Sequence, residues 1–326
     1  MALNKDNWDG KRVLVTGADG FVGSHLTERL LSLGAKVSVF VRGTSHSGTT
    51  KYTFQNIRHI QDKLAEIITG DIGSSDTISL IKKNKPETIF HLAAEAYVPR
   101  SFDQPLEITQ TNLIGTLHVL HAAMGIENIE RVVCTSSSEI YGTPNYVPID
   151  EDHPLNPAHP YGASKVAADR YAFAYYNTYQ LPISIIRPFN MYGPRHTYDV
   201  LPKFIKLALE NKPLTVHGDG KQTRDFLYVD DAVNAFLIMG QDKKAIGQAV
   251  NFGTGKETTI KELAEKIKKL SNSKSEIVYT KERTAQVKRL CCDFSKALKL
   301  FGWSPKVTLD EGLKINIEWE RKNMRI

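Results

Sequence analysis

Apolar residues arrive in short alternating blocks along the first 190 positions. Arg12-Val-Leu-Val-Thr16 is a brief β-rich run that meets a glycine-rich turn. Behind it Val22, Leu26, Leu30 and Leu33 recur at helical spacing, which predicts a helix over Val22–Leu33 that Gly34 ends. Lys36–Val41 follows as a second buried strand, closing a strand-turn-helix-strand unit. The alternation continues with strand Glu66–Thr69, helix Thr77–Lys83, strand Thr88–Ala93, long helix Leu106–Met124, strand Arg131–Thr135, helix Tyr161–Tyr179 and strand Pro182–Arg187. Strands alternating with helices predict an α/β fold on a parallel, doubly wound sheet.

After Asn190 the pattern loosens. Helices are expected at Leu201–Leu209 and Ile260–Ser271, and short strands at Leu214–His217 and Glu276–Tyr279. This half is expected to form a smaller, interleaved C-terminal α/β domain over the carboxyl ends of the strands, where such sheets bind ligands. Phe226 to Gly255 is expected to return to the larger domain. The expected division is residues 1–190 plus about 226–256 for a dinucleotide domain, and about 191–225 plus 257–326 for a substrate domain.

Composition narrows the function classes. The 326 residues are 41% hydrophobic and 24% charged, an ordinary globular balance with chain enough for two domains. The net charge of +6 comes from scattered lysines, which predicts a solvated face and no nucleic-acid partner. No stretch approaches about 18 consecutive apolar residues, so no membrane span is expected. Cys134, Cys291 and Cys292 include an adjacent pair and no Cys-x-x-Cys, and Met1 to Lys11 holds no apolar core of a leader. Reduced thiols in a cytoplasmic protein are expected. Ten histidines show no metal-ligand spacing, so no metal is expected.

Two motifs carry chemistry. Gly17-Ala-Asp-Gly20-Phe21-Val22-Gly23 follows a strand and opens a helix. Gly17 would allow a tight turn, Gly20 the approach of a pyrophosphate, and Gly23 close packing of helix on strand. Free helix amides and the positive end of the helix dipole would then face phosphate. Arg42, Thr44 and Ser45 stand at the end of the second strand, where an acidic residue would hold ribose hydroxyls, so NADP is favoured over NAD. Asp71 and Ile72, after the next strand, are placed to meet the adenine. Tyr161-Gly-Ala-Ser-Lys165 puts Tyr and Lys on one helix face. A neighbouring ammonium would stabilise a phenolate and lower the Tyr161 pKa, and such a Tyr can take a proton from a sugar hydroxyl while hydride leaves the same carbon. Thr135-Ser-Ser-Ser-Glu139 lies at the ligand-bearing end of a strand.

With these motifs the chain resembles the extended short-chain dehydrogenase/reductases, the sugar-nucleotide epimerase/dehydratase family with a Rossmann fold. The resemblance runs from Arg12 to about Trp319. It includes His91-Leu92-Ala93-Ala94, Asn112-Leu-Ile-Gly115, Arg187-Pro-Phe-Asn190 and Gly218 through Arg224 to Asp231. It implies cofactor contacts from Leu92, Ala93, Ala94 and Asn112. It implies a nucleotide-diphosphate sugar bound by Asn190, Lys203, Arg224 and Arg283, with Arg289 as a second candidate where Arg283-Thr-Ala-Gln286 departs from the family's Arg-Pro-Gly-Asp. It also implies a homodimer built from the helices Leu106–Met124 and Tyr161–Tyr179. Tyr171, Phe173, Tyr175, Tyr176 and Tyr179 crowd the second of these.

Ser137-Ser138-Glu139 is similar to the Thr-Asp-Glu or Thr-Ser-Glu of the 4,6-dehydratases, and the stretch through Leu155 looks most like those acting on nucleotide-linked N-acetylglucosamine. The resemblance implies that Tyr161 accepts the C4 proton, Lys165 holds the nicotinamide ribose, Ser137 orients the C4 oxygen, and Glu139 takes the C5 proton so that water leaves from C6. Ser138 stands where the family often has an acid. A 4-epimerase, a UDP-glucuronate decarboxylase and a non-catalytic nucleotide-binding regulator are the alternatives.

Overall fold

The computed structural model describes residues 7–42, 54–283, 285 and 287–324. In chain order the strands are β1 (Arg12–Thr16), β2 (Lys36–Val41), β3 (Glu66–Thr69), β4 (Thr88–His91), β5 (Arg131–Thr135), β6 (Ile183–Pro188), β7 (Asn190–Tyr192), β8 (Leu214–His217), β9 (Thr223–Arg224), β10 (Phe226–Tyr228), β11 (Ala249–Phe252), β12 (Thr258–Thr259) and β13 (Ile277–Thr280). The helices are α1 (Phe21–Ser32), α2 (Asp76–Asn84), α3 (Arg100–Asp103), α4 (Pro105–Thr109), α5 (Gly115–Met124), α6 (Pro160–Tyr179), α7 (Val200–Leu209), α8 (Val229–Gln241), α9 (Ile260–Ser271), α10 (Ser295–Phe301) and α11 (Leu309–Asn323).

Seven strands form one parallel sheet in the order β11-β6-β5-β4-β1-β2-β3. The expected Rossmann arrangement is therefore present. β1, β2, β4 and β6 are buried almost throughout because helices cover both faces, which is why they read as apolar runs rather than alternating ones. The chain leaves β1 toward β2 on one side, while β4 pairs with β1 on the other. That reversal of direction opens a crevice at the carboxyl ends of β1 and β4. β11 joins the far edge of this sheet, and α8 packs on β5 and β6.

Over the carboxyl ends lie three small pairings: β7 with β10, β8 with β13, and β9 with β12. The helix expected over Leu106–Met124 begins at Pro105 and is interrupted by a π-helical turn at Gln110–Ile114. The turn carries Asn112, whose side chain accepts from Glu95 N at 2.8 Å and donates to Glu95 O at 3.1 Å and Ser164 Oγ at 3.0 Å. Such bulges concentrate at functional sites. The strand expected to reach Ala93 ends at His91, because the Ala93 amide turns to donate to Thr16 Oγ1 instead.

A buried ion pair ties β6 to α6 beneath the site. Arg187 Nε donates to Asp169 Oδ2 at 2.9 Å and Nη2 to Asp169 Oδ1 at 3.1 Å. Nη1 reaches Tyr141 Oη at 3.0 Å, which itself donates to Asn251 Oδ1. Arg187, part of a motif in the resemblance, thus anchors the frame and leaves the site to Asn190.

Candidate active site

The crevice at the strand reversal opens into a cavity of about 1190 Å³ that continues beneath β7, α7 and β9. Gly17, Gly20, Phe21, Val22, Gly23, Arg42, Asp71, Ile72, Leu92, Ala93 and Ala94 line its first half. The glycines are required by contact. Gly17 has φ +72°, and a Cβ there would lie 2.8 Å from Ala93 N; one on Gly23 would lie 2.2 Å from Gly17 O. Gly20 caps α1 with no side-chain hydrogen bond, which leaves the first helix amides turned toward the cavity without a competing cap. Phe21 stacks on His196 at 4.7 Å and 8°, joining this loop to the segment before α7. Arg42 is exposed at the end of β2; Thr44 and Ser45 lie outside the described residues. Asp71 Oδ1 accepts from Gly73 N at 2.8 Å, and Ile72 is buried. Asn112 is not on the wall; it stands behind and pins the loop of Glu95, which is.

Ser137, Ser138, Glu139, Tyr161 and Lys165 meet in the middle of the cavity. β5 delivers the serines at its carboxyl end, and Ser137 Oγ caps a short 3-10 turn by accepting from Glu139 N at 3.2 Å. Helix α6 delivers Tyr161 and Lys165 one turn apart. Lys165 Nζ donates to Thr135 O at 2.6 Å, and burial brings its pKa down to about 8. Tyr161 departs from expectation. Its phenol is raised well above the ordinary value, by burial first and then by the charges of Glu139 and Asp199, with a Ser137 hydrogen bond working the other way. Lys165 turns its ammonium to a backbone carbonyl, so the lowering expected from it does not govern the ligand-free phenol.

Glu139 is the charged counterpart. Burial works to raise its pKa, but a hydrogen bond from His159 and the charge of Arg224 outweigh burial and hold it below the ordinary carboxylate value. His159 Nε2 stands 3.1 Å from Glu139 Oε2. The sequence reading passed over His159. Its signal was positional: it precedes Pro160 at the first turn of α6, the place of an N-cap. Asp199 was also passed over. It lines the cavity with φ +73°, a left-handed backbone that costs a non-glycine residue energy and concentrates at functional sites.

The second half of the cavity is basic. Asn190, Lys203, Arg224 and Arg283 line it, with His217 between the cations. Arg224 Nη1 donates to Thr223 O at 2.7 Å and Val287 O at 2.9 Å, so its guanidinium is aimed by carbonyls and not neutralised by its neighbour Asp225. Asp225 is occupied with Thr254, Gly255 and Cys292 amides. Asn190 Oδ1 is buried without a hydrogen-bond partner among the described residues. Arg289 lies off the wall, exposed and paired with Glu257. Among the described residues no cluster of three His, Cys, Asp or Glu side chains suits a metal ion, and no helix is long and apolar enough to cross a membrane.

A family model described as GDP-mannose 4,6 dehydratase matches residues 14–316. The chain belongs to this family of sugar-nucleotide dehydratases and epimerases. The human dTDP-D-glucose 4,6-dehydratase is 36% identical over 96% of this chain and 91% of its own length. The solved dTDP-glucose 4,6-dehydratase of Bacillus anthracis in complex with NAD superimposes with a TM-score of 0.85 at 31% identity, covering 97% of this chain and 98% of that one. The UDP-glucose 4-epimerase of Thermotoga maritima with UDP-glucose superimposes with a TM-score of 0.88 at 32% identity, covering 96% and 99%. Dehydratases and epimerases are thus similar to this chain to a comparable degree.

Proposed function

We propose that the chain is a nucleotide-sugar 4,6-dehydratase that converts a nucleotide-diphosphate hexose to the 4-keto-6-deoxy sugar, the sugar being N-acetylglucosamine or a related hexose. The observation that carries this reading is Glu139: a half-buried carboxylate kept ionised beside Tyr161, in the same cavity. An oxidation and reduction at C4 alone has no use for such a base. Eliminating water across C5 and C6 does, because a C4 ketone acidifies the C5 hydrogen and something must take it.

The glycine cradle fits a dinucleotide. Its missing Cβ atoms leave backbone amides open to a pyrophosphate, and Asp71 and Ile72 flank the place for adenine. Arg42 at the rim favours the 2′-phosphate of NADP, while NAD in a solved relative keeps NAD in play. When bound, the nicotinamide would supply the acceptor and later donor of hydride, and a positive charge that favours the phenolate form of Tyr161. Tyr161 takes the C4 hydroxyl proton, with Ser137 aligning that oxygen. Lys165, held on Thr135 O, steadies the ribose side. Glu139 takes the C5 proton, the C–H pair becomes the C5–C6 double bond, and hydroxide leaves C6 as water with the proton Glu139 carries; the hydride taken from C4 would return to C6, and the proton Tyr161 took from the C4 hydroxyl is returned at C5, which completes the 4-keto-6-deoxy sugar and restores the phenolate. Ser138 is too weak an acid to serve in that step. Arg224, Lys203 and Arg283 neutralise the diphosphate, with Asn190 free to donate or accept. The two-part division of the chain follows the same reading, residues 1–190 with 226–256 holding the dinucleotide and the remainder the sugar nucleotide.

The test is mass spectrometry on a panel of UDP-, GDP- and dTDP-linked hexoses, N-acetylhexosamines and UDP-glucuronate. Loss of one water from a panel member is expected. An unchanged mass at a new retention time would mean 4-epimerisation, the reading the epimerase relatives favour, and loss of carbon dioxide would mean decarboxylation.

A further inference from the structure

We propose that His159 is the positioning residue for Glu139: one ring nitrogen caps helix α6, and the other holds the carboxylate against the helix that carries Tyr161. This rests on the reading of Glu139 as the C5 base.

The geometry assigns the tautomer. His159 Nδ1 accepts from Gly162 N at 3.1 Å, so that nitrogen presents its lone pair. The single proton of the neutral ring is then on Nε2, 3.1 Å from Glu139 Oε2, and it donates. The helix cap depends on that lone pair. The ring is buried, with Phe102 packed edge-on at 6.2 Å. The fit extends to the backbone, since a Cβ on Gly162 would lie 2.8 Å from Glu139 O. Ser, Thr, Asp or Asn would cap the helix as well. Each ends short of Glu139; an imidazole adds a second nitrogen on the far side of the cap. Of the other charged or titratable groups, Arg224 from β9 acts on Glu139 and Tyr161 from α6 feels its charge, while Lys165 from α6 and Asp199 from the segment before α7 share its cavity. None of them links Glu139 to the helix.

Two variants separate the two nitrogens. His159→Asn puts an amide oxygen where Nδ1 sits, keeping the cap and losing the donor. His159→Gln puts an amide nitrogen near Nε2, keeping the donor and losing the cap. The Glu139 carboxyl is followed by carbon-13 NMR in protein labelled at the glutamate side-chain carboxyl, assigned with Glu139→Gln. In His159→Asn its titration midpoint is expected to rise by about one unit, the charged hydrogen bond being lost. Because the carboxylate is no longer held in place, kcat falls about tenfold, while KM and the melting temperature stay near wild type. In His159→Gln the melting temperature falls while the midpoint and pH profile stay. His159→Ser repeats the first arm if the Asn variant does not fold. A midpoint unmoved in the Asn and Ser variants, or moved equally in Gln, overturns the proposal. The titration needs no substrate: if wild type removes water from no sugar nucleotide, the base reading of Glu139 fails while the His159 coupling is still read directly.

Discussion

Replacing Glu139 by Gln asks the sharpest question of this site. The change exchanges one carboxylate oxygen for an amide nitrogen and removes the charge. The remaining oxygen still accepts from His159 Nε2, now 3.1 Å away, and the side chain keeps its length and burial. Geometry is therefore nearly constant while basicity is lost. A positioned general base contributes roughly 10²–10⁴ in rate, or about 3–5 kcal/mol on the barrier. Dehydration is expected to fall by that factor. On the proposed mechanism C4 oxidation uses Tyr161, Ser137 and Lys165 and not Glu139, so it should continue. A single turnover on the active sugar nucleotide reads both: the near-ultraviolet absorbance of reduced nicotinamide reports oxidation, and the mass of the quenched sugar reports water loss. The expected variant accumulates the absorbance and keeps the sugar intact. Dehydrated product at the wild-type rate would refute the argument that an ionised carboxylate here exists to reach C5. A thermal melt close to wild type guards against a folding explanation.

Other consequences follow from the same contacts. Lys165 is brought down to about 8, so kcat should fall above pH 8 as the ammonium is lost; Lys165→Arg should move that alkaline limb upward, and an unmoved limb would exclude Lys165 as its source. Asp169→Asn leaves Arg187 buried without its counter-charge and should cost about 3–5 kcal/mol in urea unfolding. Burial would raise Asp169, but Arg187 holds it below its ordinary value, so its contribution is full above the unfolded pKa of about 3.9 and lost as pH falls through the folded one; the Asn variant should lose less stability than wild type over that range. Arg42→Ala should weaken NADP about 10–100-fold by fluorescence titration and leave NAD within about twofold, and equal losses would remove the 2′-phosphate from the account.

The sheet was legible because most of its strands are buried on both faces and its helices on one. That difference writes two periods into the chain, and β1, β2, β3 and β5 stand where those periods put them. What was not legible depends on partners distant in sequence. The π-helical turn at Asn112 exists because Glu95 and Ser164 need that amide, and neither neighbours it in the chain. β7, β9, β10 and β12 have two or three residues each, too few to carry a period. Helix α11 could have been found, since Thr308 and Glu311 form a capping box at readable spacing. In the site, the glycine loop and the Tyr161–Lys165 pair are spaced by local geometry and so could be read. His159 works across the gap to Glu139, Asn112 works from behind the wall, and Arg289 turns away to Glu257; each depends on how loops meet in space.

Relatives with two different activities share this frame, and the chemistry explains how. Taking hydride and a proton from C4 and returning them to the sugar is common to both, and on the proposed mechanism Tyr161, Ser137 and Lys165 serve it. An epimerase returns hydride to the same carbon from the other face. A dehydratase must first divert the ketone, and the diversion begins when the C5 proton is taken. The outcome is therefore decided by whether a base of sufficient charge stands over C5 before hydride returns. A glutamate alone would not guarantee that, because burial pushes a carboxyl toward its neutral, useless form. Here the His159 hydrogen bond and the Arg224 guanidinium reverse that push. On the proposed reading Arg224 also meets the substrate diphosphate. Substrate binding would then draw part of that guanidinium's field away from Glu139 and raise its basicity once the sugar is seated. A base that is ionised at rest and strengthened by the substrate's own phosphates favours elimination over simple return.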